Sequence, residues 1–137
     1  MTFEEQWDAA AYNWLYWVSY AGMLIAPLLG ATLVSLFFAR RPIARRAWHV
    51  SLALLCFFLT AETTVESISL KWQLRAQAAQ TDSEREIVAM RDSGNLAFSP
   101  IIGGFCGAIS VALWCITAWG SGRFAKRRVQ RTGGPSE

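Results

Sequence analysis

One histidine, and three cysteines with no CxxC spacing between them, leave this sequence few groups for metal or redox chemistry. The cysteines are Cys56, Cys106 and Cys115. Their separation excludes a zinc-type ligand set and gives no basis for a disulfide framework. Each falls inside an apolar run and reads as a small apolar residue. There is no glycine-rich phosphate loop, no nucleophile motif and no Glu-x-x-His pair of the di-iron type. Charge is scarce as well: Asp, Glu, Lys and Arg make up only 17% of the 137 residues, against 53% apolar. A folded basic domain is missing, so nucleic acid is not an expected partner.

The absence of charge is concentrated. None occurs from Ala9 to Ala39, from Ala47 to Ala61, or from Ser93 to Gly122. A helix needs roughly 20 apolar residues to cross ~30 Å of hydrocarbon. The first and third runs suffice alone, and the middle one suffices if it continues to Leu70 through Glu62 and Glu66. The expected fold is therefore an all-α integral membrane chain, a single domain with three transmembrane helices. The spans fall at about residues 14–39, 47–70 and 97–120, with an outer loop at 71–95 and a tail at 123–137. A secretory signal is excluded for the first run, because the N-terminus is acidic (Glu4, Glu5, Asp8) and the run is too long for an h-region.

The charges that do occur predict orientation. Arg40, Arg41, Arg45 and Arg46 crowd the link between spans one and two, and Arg123, Lys126, Arg127, Arg128 and Arg131 follow span three. The positive-inside rule puts both clusters in the cytoplasm, hence N-out and C-in. The clusters are also expected to touch anionic lipid. In the outer loop Lys71, Arg75, Arg85 and Arg91 balance Asp82, Glu84, Glu86 and Asp92. Arginine outnumbers lysine eleven to two, a usage that fits a GC-rich bacterial genome, and the expected location is a bacterial inner membrane. Tyr12, Trp14, Tyr16, Trp17 and Tyr20 are expected as an aromatic belt at the outer end, with Trp72 beside them and Trp48 and Trp119 at the inner boundary. Trp114 lies too deep for an anchor and is expected to pack on lipid, a helix or an apolar cofactor. His49, beside Trp48, is expected at the interface facing phosphate or water.

Local signals fill in the rest. Phe3, Trp7, Ala10, Trp14 and Val18 form one helical stripe, predicting a short interfacial helix before span one. Pro27 should kink span one, and Pro42 makes the following link a tight turn. Thr81–Glu84 reads as a capping box opening a short loop helix that stops at Gly94–Asn95. Ser99–Pro100 opens span three, and the tail is expected to fray after Lys126. Gly22, Ala26 and Gly30 form a small-residue ladder on span one, and Gly103 and Gly107 form one on span three, beside Gly104, Ala108 and Ala112. Such ladders let helix backbones approach, either within the chain or between subunits.

The unusual stretch is residues 60–73. Counted from Trp48 at 1.5 Å per residue, Glu62 lies ~10 Å below the outer surface of a ~30 Å core. On a helical wheel Ala61, Val65, Ile68 and Trp72 form an apolar stripe. Thr60, Thr63, Thr64 and Ser67 form a hydroxyl face, and Glu62, Glu66, Ser69 and Gln73 an acidic one. Two of these faces should meet protein or water. The acids have no basic residue three or four positions away. Their compensation is protonation, a wet cavity into which Arg85 or Arg91 folds back, or a base from another subunit.

These features predict a non-catalytic accessory subunit of a larger inner-membrane complex, respiratory or photosynthetic, packed on other integral membrane subunits and lipid. Glu62, Glu66, Thr63, Ser69 and Gln73 are the candidate contacts. Lipid, quinone and pigment stay open as bound groups. The alternatives are a proton- or cation-conducting homo-oligomer using Glu62 and Glu66, and a holin-like permeabilising protein sharing only the three-span plan.

Overall fold

The computed structural model describes residues 2–132, with side chains described through Phe124. These residues are helical apart from short connections, and no strand occurs among them. The helices are α1 (Phe3–Ala11), α2 (Trp14–Phe37), α3 (Pro42–Ala78), α4 (Asp82–Ala97) and α5 (Ser99–Thr132). The segments holding α2, α3 and α5 are long and apolar enough to cross a membrane. The chain is thus an all-helical, multi-pass membrane protein by length and composition. Below, the loop end is the end carrying α1 and α4, and the turn end is the one at Pro42.

Sequence chemistry sets most boundaries. Thr2 caps α1 reciprocally with Glu5: the Glu5 N–H donates to Thr2 Oγ1 (3.3 Å) and the Thr2 N–H to the Glu5 carboxylate (2.8 Å). Asn13 caps α2, its Oδ1 accepting from the Tyr16 N–H at 3.0 Å. The helix runs unbroken through the buried Pro27. Pro42 sits in the first turn of α3, where its missing N–H costs nothing. Thr81 and Glu84 form the expected capping box on α4.

Three boundaries differ from the sequence reading. The middle helix does not end at Leu70 but continues to Ala78. Residues 71–78 contain no glycine or proline, so nothing in them opposes helix once it has started. At 37 residues α3 is ~55 Å long, well beyond a ~30 Å hydrocarbon layer. The loop helix passes Gly94 and Asn95 and ends at Ala97. The third span stays helical through the basic segment to Thr132, where fraying was expected after Lys126. The rest of the expected tail, residues 133–137, lies outside the described residues.

α2, α3 and α5 pack on one another, while α1 and α4 rest against α3 at the loop end. The glycines set how close the helices come. A Cβ added to Gly103 would stand 2.6 Å from the Ala61 carbonyl oxygen, and one on Gly107 would stand 2.9 Å from that of Phe57. On α2, a Cβ on Gly22 would meet Thr60 Oγ1 at 3.3 Å, and one on Gly30 would stand 2.6 Å from the Trp114 ring. These glycines therefore serve packing within the chain. Ala26, between them in sequence, faces outward. The compact apolar cluster lies toward the turn end, around Ala31, Val34 and Trp114.

Candidate functional site

The loop half of α3 carries two polar flanks with opposite fates. Its hydroxyl flank turns inward. Thr60, Thr64 and Ser67 are buried against α2. The Ser19 hydroxyl is hydrogen-bonded to Thr64 Oγ1, and Thr64 Oγ1 donates to the Thr60 carbonyl at 2.7 Å. Asn13 Nδ2 donates to the Ser67 carbonyl (3.1 Å) and to that of Ala10 (3.2 Å), while the Ser67 hydroxyl donates to Asn13 Oδ1 (3.3 Å). One residue thus caps α2 and fastens the α1–α2 junction to α3. Thr63, on the edge of this flank, turns its hydroxyl back on the Leu59 carbonyl (2.7 Å). The apolar stripe also faces protein in part, since Ala61 and Val65 lie against Gly103 of α5.

The acidic flank points away from the bundle. Glu62, Glu66 and Gln73 are exposed and Ser69 is half-buried. Among the described residues neither glutamate makes an ion pair or a hydrogen bond. The fold-back of Arg85 or Arg91 does not occur. Arg85 pairs with Asp82 on its own helix at 3.4 Å, and Arg91 is exposed and unpaired among the described residues. Helix contacts give the depth of Glu62. It lies midway between the levels of the Gly22–Thr60 and Ser19–Thr64 contacts. That is about two helical turns, or ~10 Å, inside the start of α2. The exposed Tyr16, Trp17 and Tyr20 cover the same range of depth, with neighbouring ring centroids 5.3–6.4 Å apart.

Beyond the glutamates, α3 carries a buried ion pair. Arg75 Nη1 donates to Asp92 Oδ1 (2.9 Å) and Oδ2 (3.0 Å), with side-chain exposures of 8% and 3%. Arg75 Nε and Nη2 both donate to the Trp7 carbonyl at 3.1 Å, and the guanidinium lies 3.8 Å from the Trp7 ring centroid. Two charges can be buried because each guanidinium nitrogen and each carboxylate oxygen has a partner. The cluster ties α1 and α4 to α3. Lys71 Nζ stands 3.7 Å from Asp92 Oδ1. Between α2, α3 and α5, beneath Asn95, lies a cleft of about 450 Å³ that reaches from Lys71 to Cys106.

Comparison with known protein families, with curated proteins and with solved structures gives no match. The function must therefore be argued from the chain's own residues.

The turn end is held without charge. Trp114 is 2% exposed, and its Nε1 donates to His49 Nδ1 at 3.2 Å. His49 Nε2 lies 3.3 Å from Ser35 Oγ, which accepts from the Ser121 hydroxyl at 2.8 Å. This corrects the expectation that His49 faces phosphate or water: its ring nitrogens bond α2 and α5. Because Nδ1 accepts from the indole, the neutral ring carries its proton on Nε2. The apolar partner of Trp114 is a helix, at Gly30. Of the expected anchors, Trp14, Trp17, Trp48 and Trp119 are exposed and Trp72 is half-buried. Trp48 stacks on Phe38, and Arg123 lies over Trp119 at 3.7 Å.

Sequence reasoning missed Asn13, Arg75, Asp92 and the role of His49. Asn13 had a local signal, since an asparagine directly before an apolar helix is a standard cap. The other three are joined by contacts 14 to 68 residues apart, which no local spacing announces.

Proposed function

We propose that the chain is a non-catalytic small subunit of a larger membrane assembly, and that the acidic flank of α3 is the surface it offers to a cationic neighbour. The observation that carries this is the contrast within one helix. The buried Thr64 and Ser67 hydroxyls and the Arg75–Asp92 pair are satisfied inside the chain, whereas Glu62 and Glu66 are exposed and unpaired among the described residues. A carboxylate facing acyl chains costs a few kcal/mol. A lysine or arginine on a neighbouring transmembrane helix would turn that cost into attraction, and Ser69 and Gln73 extend the surface with hydrogen-bonding groups. In this reading the membrane is a bacterial inner membrane. The arginines at the turn end and the basic end of α5 are cytoplasmic, and α1 and α4 are periplasmic.

Purification from native membranes in mild detergent tests the proposal. The wild-type chain is expected to run with other subunits at a mass well above one chain. Glu62→Lys combined with Glu66→Lys is expected to release it without loss of helix content. A wild-type chain that runs alone at single-chain mass contradicts the reading.

Symmetric association through the same flank would bring Glu62 from several copies toward one axis. That supports a second reading, a proton- or cation-conducting homo-oligomer. Flux into liposomes that falls sharply in Glu62→Gln would favour it, and unchanged flux would exclude it.

A further inference from the structure

The cleft beside α3 lies on the side of the helix opposite the glutamates, and its polar groups have an order. Lys71 and Asn95 stand at the loop end, Ser67, Thr64 and Ser19 line the next stretch, and Met23, Ile102 and Cys106 line the deep end. Met23 is next to Gly22, which is level with Thr60. The cleft therefore descends roughly eleven residues of α3 from Lys71, or ~16 Å. It runs from charge through hydroxyls to apolar side chains, the order found along an amphiphile lying parallel to a membrane helix.

Hydrogen-bond accounting narrows the occupant. Thr64 gives its hydroxyl proton to the Thr60 carbonyl, and Ser67 gives its proton to Asn13 Oδ1. With the Thr64 proton committed, Ser19 is the donor in its bond to Thr64. Each of these hydroxyls has one proton to give, so the wall offers only lone pairs. These three hydroxyls suit a ligand that brings an O–H, and the phenols of Tyr16 and Tyr20, which line the same cleft, leave donors for an ester carbonyl beside it. Lys71 makes the opposite demand. Both oxygens of Asp92 already accept from Arg75, and Lys71 Nζ is 3.7 Å away, beyond a direct hydrogen bond. Its ammonium donors suit an anion. Ser67 lies one turn, ~6 Å, below Lys71, so the anion and the O–H belong close together on the ligand. The volume of about 450 Å³ corresponds to roughly 15 groups the size of a water molecule, which takes a glycerol phosphate and the upper part of one acyl chain and leaves the rest of that chain to the bilayer.

We infer that this cleft binds a lysophospholipid whose headgroup is net anionic. Its phosphate would sit on Lys71 and Asn95, its free glycerol hydroxyl on the Ser67–Thr64–Ser19 wall, and its single acyl chain against Met23, Ile102 and Cys106. The site is independent of the acidic flank and of any partner that docks there.

Native mass spectrometry of the full chain, released from detergent with added lipid, tests this. The probe is 1-palmitoyl lysophosphatidate, with palmitate, lysophosphatidylcholine and dipalmitoyl phosphatidate as comparators. We expect a one-to-one lysophosphatidate adduct, retained at least tenfold better than any comparator. Lys71→Gln should weaken it about tenfold, while Lys71→Arg should keep it. Ile102→Trp, which fills the cleft and leaves Lys71 untouched, should abolish it. Equal retention of the diacyl lipid or of palmitate would overturn the inference, as would an adduct that survives Ile102→Trp. Either result would make Lys71 a general contact for anionic lipid.

Discussion

The two flanks of α3 at its loop end are built from similar raw material, polar side chains one helical turn apart, yet they meet opposite surroundings. Thr60, Thr64 and Ser67 are buried, and the Thr64 and Ser67 hydroxyls are bonded to their own backbone or to the α2 cap, while Glu62 and Glu66 look outward with no partner among the described residues. The difference follows from the chemistry of the groups. A hydroxyl can be buried between helices because it is small and one carbonyl satisfies its proton. A carboxylate needs a cation or water. Arg75 and Asp92 show what the chain does when it buries charge of its own: it pairs the two and gives the arginine's other two nitrogens a backbone carbonyl. No such provision is made for the glutamates.

That contrast can be broken first on the buried side. Asp92→Ala leaves Arg75 buried without its counterion and should cost about 3–5 kcal/mol. The loss would be read as a lowered unfolding midpoint in detergent, with α4 detaching from α3. Gly103→Val drives a side chain toward the Ala61 carbonyl and should cost about 1–3 kcal/mol or more by overpacking. Asn13→Ala removes a helix cap and the bonds to Ser67. It should cost about 1–2 kcal/mol and speed amide exchange in the first turn of α2. On the exposed side, Glu62→Gln with Glu66→Gln should move the midpoint of the isolated chain by less than about 0.5 kcal/mol, the range of ordinary surface changes. A large loss there would mean that the glutamates have partners inside the chain.

The smallest effect concerns α4. Glu84 accepts from the backbone N–H groups of Thr81 and Gln80, which hold its carboxyl below the usual range. A lowered folded-state value gives a stabilisation present above the unfolded value near 4.5 and lost as pH falls through the folded one. Amide exchange at the start of α4 should rise on acidification below about pH 4.5, and Glu84→Gln should remove that dependence.

Much of the architecture was legible because it is written in local patterns. Three uncharged runs announced three long helices. Thr81 and Glu84 announced a cap. The wheel over residues 60–73 separated the hydroxyl and acidic faces correctly, but it could not say which would turn inward. That choice depends on what α2 presents at the same level, and Ser19 and Asn13 present hydrogen-bonding partners for hydroxyls. The same limit hid the pairing of Arg75 with Asp92, which looked like two members of a balanced loop. It also hid the bond from Trp114 to His49, which joins α5 to α3 and needs the interhelical register to be known. The long reach of α3 was missed for another reason. A run of charges was taken as the end of a span, and charge ends the membrane without ending a helix.

The most direct test of the docking surface is photo-crosslinking from position 62 in native membranes, with position 64 as the buried control. From position 64 we expect adducts to the chain's own α2 and to lipid in the cleft, and none to a second polypeptide. From position 62 we expect a discrete adduct to a second polypeptide, mapped by mass spectrometry to a transmembrane segment bearing lysine or arginine. Lipid adducts alone at position 62, in membranes where the protein is expressed at its natural level, would contradict a partner on the acidic flank.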